Sequence, residues 1–162
     1  MKIIIFDFII GNSDRHAQNW AIIRKNKKVK MCPLYDNASS LCSYESKAKL
    51  EQCLGRDKNR FNSLVDSKSR TLIRIDRYEL GNKKGPKQSD MVRHVKEKYY
   101  NDTIDFVRII EGKLTEEVIE NLINKYEKYL GTTKAKVLKM YLNAKVRLLL
   151  EIYNIEIMEG GI

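Results

Sequence analysis

Three side chains near the beginning of the chain could carry chemistry together. Asp14 and Asn19 stand five positions apart in the polar stretch GNSDRHAQN, and Asp36 follows the apolar segment MCPLY. A carboxylate can accept a proton, and carboxylate and amide oxygens are the ligands that magnesium prefers. The polar stretch lies between apolar flanks, which are expected to hold it rigidly. It is therefore a candidate reactive site.

A short hairpin would bring the three residues to one cleft. WAIIRKNKKVKMCPLY predicts strands at residues 20–23 and 29–34, joined by a polar turn. A residue that enters a hairpin and one that leaves it can lie close together. Phosphoryl transfer on the protein-kinase plan uses a carboxylate that orients and deprotonates the attacking hydroxyl, and an amide and a second carboxylate that bind magnesium. Asp14, Asn19 and Asp36 match that set.

Each of these residues also has a simpler structural explanation. Asp14 could cap a turn, Asn19 could stand at the start of a strand, and Asp36 could begin an Asx turn in YDNASS. The D-x-x-x-x-N spacing alone recurs by chance. It gains weight from the hairpin and from the aspartate that follows it.

Composition limits the class of protein. A chain of 162 residues that is 43% hydrophobic and 32% charged fits one globular domain. Three cysteines without a CxxC pair argue against a disulfide framework or a zinc site, so a reducing cytoplasm is expected. The apolar run at residues 3–10 is shorter than the roughly 20 residues of a membrane span and lacks a signal-peptide cleavage site. We expect a soluble protein without a membrane partner.

Positive charge is concentrated in the middle of the chain. The formal net charge is +10, and residues 55–100 contain thirteen Lys or Arg against six Asp or Glu. This excess favours an anionic partner such as phosphate or nucleic acid. A solvated basic face without a specific ligand is the preferred alternative on composition alone, since aromatic residues do not interleave as in a base-stacking platform.

Beyond residue 41 the sequence predicts helices. A short helix ends at Gly55, residues 56–85 lack periodicity, and GNKKGP is typical of an exposed loop. Ser89 is predicted to cap a helix with one apolar side, formed by Met91, Val92, Val95 and Tyr99.

Two further helices complete the predicted bundle. Thr115 caps one that ends at Gly131, with a stripe of Ile119, Leu122, Ile123, Tyr126 and Leu130. The last begins at about Thr133 and carries Leu138, Leu142, Val146, Leu149 and Tyr153. The expected fold class is mainly α (α+β), with a short β-hairpin carrying the catalytic loop and a helical bundle.

The segments FDFIIGNSDRHAQNWAII and PLYDNASSL resemble the catalytic core of the HipA-like serine/threonine kinases, a family of bacterial toxin–antitoxin kinases. The resemblance is specific over residues 3–41 and diffuse beyond. It implies that Asp14 is the catalytic base and that Asn19 and Asp36 bind Mg²⁺. It also implies ATP as phosphoryl donor, a protein substrate and an antitoxin partner. Residues 3–10 would end a buried helix, where β-branched propensity alone predicts a strand.

The loop is also similar to the DRHxxN signature of phosphoinositide-kinase-like enzymes. Those enzymes have Asp-Phe-Gly where this chain has Asp36, Asn37 and Ala38, so the HipA-like interpretation is favoured. His16 belongs to the shared motif; it could share in proton transfer or support the loop, and structural hydrogen bonds are the preferred role. Arg15 could contact a phosphate or brace a nearby carboxylate.

Some parts of a kinase have no counterpart in this sequence. A Gly-rich cover over the phosphates and a strand lysine paired with a helix glutamate are needed, and the thirteen residues before Asp14 carry neither. We therefore expect residues 1–162 to form a single C-terminal lobe that needs a separate nucleotide-binding N-lobe or upstream protein. A fragment, a split gene and a remnant all fit. The alternatives are a pseudokinase-type module without catalysis and a basic nucleic-acid-binding module using residues 55–100.

Overall fold

Helices make up most of the domain. The computed structural model describes residues 1–74 and 85–156. Over these residues the helices are α1 Lys2–Ile10, α2 Lys47–Cys53, α3 Lys58–Asn62, α4 Gln88–Lys113, α5 Glu116–Leu130 and α6 Thr132–Tyr153. Strands β1 Ile22–Lys25 and β2 Lys28–Met31 pair in antiparallel fashion, with Ile22 opposite Met31. The predicted fold class is confirmed.

Helix α1 is formed by the β-branched run that propensity alone assigns to a strand. It packs against α4 and α6 and buries Ile4, Ile5, Phe8 and Ile9. Burial on most sides of the helix outweighs the modest helix propensity of isoleucine. Gly11, at φ 67°, ends the helix in the left-handed conformation that glycine adopts most easily. The buried helix implied by the family resemblance is confirmed.

Helices α5 and α6 form an antiparallel pair whose boundaries agree with the sequence prediction. The Thr115 hydroxyl caps α5 by accepting a hydrogen bond from the Val118 N–H, and Gly131 ends the helix. The predicted stripe on α6 is buried in full. The stripe on α5 is only partly right, because Leu122 and Tyr126 are each 46% exposed. Helix α6 covers one side of α5 and leaves these two side chains outside the contact.

Helix α4 differs from its prediction at two places. Its N-cap is Lys87, and the Ser89 hydroxyl donates to the Asp66 carboxylate instead of capping the helix. Met91, Val92 and Val95 are buried as predicted. Tyr99 is half-buried and lies at a kink with φ −137° and ψ 33°. The stripe therefore ends one turn earlier than the pattern suggests.

The segment predicted to lack periodicity contains local helical structure. Helix α3 is capped by Asp57, whose Oδ1 accepts a hydrogen bond from the Asn59 N–H, and a π-helical turn, Ser63–Ser67, follows. Residues 81–84 of the predicted GNKKGP loop lie outside the described residues.

The hairpin is shorter and more exposed than predicted. Its turn consists of Asn26 and Lys27, which both have positive φ, 49° and 63°, as the tight turns of two-residue hairpins require. All eight strand residues are exposed, so no face of the hairpin joins the core. Among the described residues, no helix is long and apolar enough to cross a membrane.

Candidate active site

A buried arginine organises the loop after α1. The Arg15 side chain is fully buried, and its Nη2 and Nε atoms lie 2.8 and 2.9 Å from the Oδ1 and Oδ2 atoms of Asp7. Asp7 stands in the middle of α1, so this bidentate pair attaches the loop to the helix. A carboxylate buried in an apolar helix needs such a partner. Arg15 therefore braces a carboxylate, and its buried head group does not face a phosphate site.

The same guanidinium also joins the two ends of the hairpin. Arg15 Nη1 donates to the backbone oxygens of Asn19 and Tyr35, each at 2.8 Å. Nη2 donates in addition to Oδ1 of Asn37. Because both carbonyls bind one nitrogen atom, the chain entering the hairpin lies beside the chain leaving it. The segment that contains Asp36 is thus held next to Asn19.

Asp14 lies half-buried at the tip of this loop. Its backbone N–H donates to Asn12 Oδ1 at 3.1 Å, and its carbonyl accepts from His16 N–H at 3.0 Å and from Asn19 Nδ2 at 2.8 Å. The backbone is therefore fixed on both sides. Within the described residues, the Asp14 carboxylate accepts no hydrogen bond and joins no ion pair, which leaves it available to accept a proton.

Asn19 and Asp36 present oxygen atoms at the two ends of the hairpin. Asn19 is 3% exposed, and the bond from its Nδ2 to the Asp14 carbonyl orients the amide so that Oδ1 has no partner among the described residues. Asp36 is exposed and has φ 51°, a left-handed conformation that aspartate tolerates better than most residues. His16 Nδ1 accepts a hydrogen bond from Gln18 N–H at 3.3 Å and caps the short 3-10 turn Ala17–Asn19.

The oxygen atoms of Asn19 and Asp36 fit a magnesium site better than a site in which the protein supplies every ligand of the metal. No group of three or more His, Cys, Asp or Glu residues is placed to hold a metal within residues 1–74 and 85–156. One amide oxygen and one carboxylate oxygen are what Asn19 and Asp36 offer. Magnesium is commonly bound in this way, with water and substrate phosphates as its other ligands.

A second buried polar cluster lies behind the loop. Lys145 on α6 is fully buried, and its Nζ donates to Ser69 Oγ at 3.0 Å and to Gln88 Oε1 at 3.4 Å. Burial away from water lowers the pKa of Lys145 to about 7. Gln88 connects this cluster to the loop, because its Nε2 donates to the Asn12 carbonyl at 2.6 Å.

Sequence reasoning missed several residues that support the loop. Asp7 could have been found, since a lone carboxylate inside an apolar run needs a buried partner. Asn12 lies in the polar stretch but has no distinguishing spacing. Gln88 gave no signal, because it is 76 positions away from the residue that it contacts.

One comparison with known proteins identifies a family, and another identifies a similar fold. A model described as "HipA-like C-terminal domain" matches residues 1–104, and no curated protein matches the chain. The crystal structure of the Helicobacter pylori proinflammatory kinase CtkA superposes with a TM-score of 0.73 at 16% identity, which covers 99% of this chain and 53% of that one.

The two matches carry different weight. At 16% identity the likeness to the Helicobacter kinase shows the fold alone, and the present chain spans about half of that kinase's length. The family match covers more than half of the chain, including α1, the candidate loop and the hairpin. The chain therefore belongs to the family of HipA-like C-terminal domains, and it is a kinase-family domain.

Proposed function

We propose that this chain is the catalytic lobe of a serine/threonine protein kinase, which transfers a phosphoryl group from ATP to a protein hydroxyl with Mg²⁺. The observation that carries this proposal is the junction at Arg15. One guanidinium nitrogen lies 2.8 Å from the carbonyls of both Asn19 and Tyr35, so the loop that bears Asp14 and the segment that bears Asp36 are held together.

Asp14 has the properties of a general base in this reaction. Its backbone is held by three hydrogen bonds, and its carboxylate is unengaged within the described residues. Phosphoryl transfer depends mainly on positioning and on neutralising charge, so a fixed backbone with a free carboxylate suits the base. Asp14 would orient the substrate hydroxyl and accept its proton.

Asn19 and Asp36 would hold the metal. The Asn19 amide is oriented by its bond to the Asp14 carbonyl, and this orientation directs the oxygen away from that bond. Asp36 contributes an exposed carboxylate that makes no ion pair with a described residue. When bound, magnesium neutralises the charge of the nucleotide phosphates.

The hairpin supports the proposal of a separate nucleotide-binding lobe. The exposed apolar side chains of the hairpin and of the residues that flank it are 36% to 58% accessible to solvent; they are Trp20, Ile22, Ile23, Val29, Met31 and Tyr35. Apolar residues grouped in this way are typical of an interaction surface. They adjoin Asn19 and Asp36, where a lobe covering the nucleotide would have to sit. We propose that such a lobe docks on this surface.

Transfer of radiolabelled phosphate from ATP tests the proposed function. The chain would be assayed alone and together with the product of the upstream reading frame, with Asp14→Asn as the inactive control and Asp102→Ala as an exposed control. We expect labelling only when both parts are present. Of the two variants, only Asp14→Asn should abolish it.

Two other results would change the proposal. Labelling by the isolated chain would show that no second lobe is needed. A lack of labelling with any partner lobe would favour the pseudokinase-type module.

A further inference from the structure

A small cavity opens beside the candidate active site. It lies between the loop after α1, the segment after Asp36, and helices α2 and α3 with the π-helical turn, and its volume is about 230 Å³. Ser13 lines the cavity and directly precedes Asp14 in the chain. The wall of the cavity therefore includes the chain neighbour of the proposed base, and the phosphoryl-transfer role assigned to Asp14 does not use the cavity.

Positive charge dominates the lining. Four cationic side chains reach the cavity, namely Lys49, Arg60, Lys68 and Arg70. The carboxylate found in the described lining is that of Glu45, and Lys49 Nζ lies 3.3 Å from it. The three other cations form no ion pair with a described residue, although Arg70 Nη1 donates to the Gly85 carbonyl at 3.3 Å. Their charge is thus available to an anionic ligand.

The cavity also contains polar groups that can bind an anion. Tyr141 is 3% exposed, and its hydroxyl lies so close to Gly11 that a Cβ at that position would overlap it. Ser69 also lines the cavity, but its hydroxyl donates to Gln88 Oε1 and accepts from Lys145 Nζ at 3.0 Å, so it supports the wall and does not donate to the ligand. Burial raises the pKa of Cys42 to about 12, so the thiol in the lining adds no negative charge. Guanidinium, ammonium and hydroxyl donors together form a typical site for carboxylate or phosphate.

The size of the cavity limits its occupant. Pockets for whole small-molecule ligands measure about 300–1,000 Å³, so this cavity suits one side-chain group better than a nucleotide. A nucleic acid would instead spread its phosphates over the exposed cations of residues 55–100. A residue of the protein substrate, bound close to the hydroxyl that faces Asp14, fits both the volume and the place.

We propose that the cavity binds an acidic or phosphorylated residue of the protein substrate and so selects acceptor hydroxyls that have a negative charge nearby. This proposal rests on the proposed kinase function for the identity of the ligand. The binding of an anion by the cavity is independent of catalysis, because none of Arg60, Lys68 and Arg70 belongs to the catalytic set.

Binding of inorganic phosphate and of phosphoserine by the chain tests the proposal. Calorimetric titration would be done at fixed ionic strength without Mg²⁺ or nucleotide. The variant Arg60→Gln/Lys68→Gln/Arg70→Gln removes the three cations that form no ion pair with a described residue. The matched control Arg56→Gln/Lys58→Gln/Lys98→Gln removes three exposed charges that do not line the cavity.

We expect the cavity variant to weaken binding of both probes about tenfold or more, the loss that follows when charge-assisted hydrogen bonds disappear. The control variant should bind both probes within about twofold of the wild-type affinity, because solvent and salt screen the charges that lie outside the cavity. The single variant Lys68→Gln should weaken binding of both probes by about threefold. Because Lys68 is exposed, this variant should fold, and it keeps the test valid if the triple variant does not fold.

Three results would overturn the proposal. The first is that the wild-type chain binds neither phosphate nor phosphoserine. The second is that the cavity variant and the control lose affinity equally, and the third is that neither of them loses affinity. A single-stranded oligonucleotide serves as a second probe. If it binds more tightly than phosphoserine and both triple variants weaken it equally, the basic segment is a nucleic-acid surface and the proposed ligand is wrong.

Asp14→Asn separates this proposal from the proposed function. The variant should bind phosphoserine like the wild type, because the Asp14 carboxylate is not part of the cavity lining. Intact phosphoserine binding by a wild-type chain that transfers no phosphate with any partner lobe would contradict the kinase proposal alone. Phosphate transfer by a chain that does not bind phosphoserine would contradict the cavity proposal alone.

Discussion

Arg15 and Lys145 are both fully buried, but their surroundings differ. Arg15 is paired with Asp7 and donates to three further oxygen atoms. Lys145 has two neutral oxygen partners, and its Nζ lies 4.2 and 5.5 Å from the ring centroids of Phe8 and Tyr141. A guanidinium keeps its charge in proteins, whereas an ammonium in this environment can release its proton near neutral pH. The loop is thus held by a permanent charge, and the helical core contains a titratable one.

Replacing each cation by methionine should show the largest contrast. We expect Arg15→Met to lower the free energy of unfolding by roughly 3–5 kcal/mol, because Asp7 becomes an unpaired buried carboxylate. Lys145→Met should instead raise it by roughly 1–4 kcal/mol at pH 7, because it removes an amine whose charged form is disfavoured by burial. The Ser69 hydroxyl still donates to Gln88 Oε1 in that variant. Urea unfolding measures both values.

The double variant Asp7→Leu/Arg15→Met is the control for the first contrast. Because it removes both charges, it should recover part of the stability that Arg15→Met loses. Equal losses from Arg15→Met and Lys145→Met would show that the two cations are held in the same way, and the comparison would fail.

The pH dependence of stability should distinguish the two cations next. The pKa of Lys145 is about 7 in the folded chain and about 10.5 when unfolded. Above pH 10.5 the amine is neutral in both states and its contribution to stability is complete. As the pH falls from 10.5 to 7, the unfolded chain takes up a proton that the folded chain does not, so stability is lost; below 7 the loss is finished. The slope should approach about 1.4 kcal/mol per pH unit.

Unfolding free energies between pH 7.5 and 9 would reveal this slope. In Lys145→Met the free energy of unfolding should depend on pH only through the other titratable groups, because the amine is absent. The carboxylate of Asp66 acts to raise the pKa of Lys145 against the effect of burial. A wild-type profile that matches the variant over this range would mean that Lys145 stays charged in the folded chain.

Local patterns predicted the C-terminal helices because their signals are local. The Thr115 cap, the Gly131 stop and the stripe of α6 depend on residues within a few turns of each other. Propensity failed at α1, where packing against α4 and α6 decides the structure, and the helix was predicted through the family resemblance instead. Tertiary burial is not visible in a short window of sequence.

The polar interior could be predicted only in part. The spacing of the loop pointed to Asp14, Asn19 and Asp36, whose roles stay predictions. Gln88 and Ser69 belong to the interior through contacts across 57 and 76 positions with Lys145, and a sequence window does not contain such pairs. Lys145 did leave a signal, because it falls between Leu142 and Leu149 at spacings of three and four on the buried stripe of α6.

Gly11 links α1 to the loop that contains Arg15 and lies against Tyr141, whose ring centroid is 5.5 Å from Lys145 Nζ, and its replacement should have an intermediate effect. It has φ 67°, and a Cβ there would overlap the Tyr141 hydroxyl. Gly11→Ala should therefore lower the free energy of unfolding by about 1–2 kcal/mol. The control Gly112→Ala lies near the end of α4 with no atom within 4 Å of the added carbon, so it should stabilise by about 0.5–1 kcal/mol. Thermal unfolding would separate them; stabilisation by both would show that the turn after α1 accepts a side chain.

The smallest effect on overall stability should come from the hairpin, which contains neither buried cation and whose strand residues are all exposed. Lys27 has φ 63°, a conformation in which a non-glycine residue is strained by about 1–2 kcal/mol, so Lys27→Gly should stabilise the turn. Amide exchange in β1 and β2 should slow by about tenfold, since 1.4 kcal/mol corresponds to a factor of ten. The free energy of global unfolding should change by less than about 0.5 kcal/mol, because the hairpin can open locally while the core stays folded.

Lys28→Gly is the matched control for Lys27→Gly, and it should speed amide exchange because glycine weakens a strand. If Lys27→Gly instead raised the global stability by the full amount, the hairpin would unfold together with the Arg15 cluster that joins its two ends.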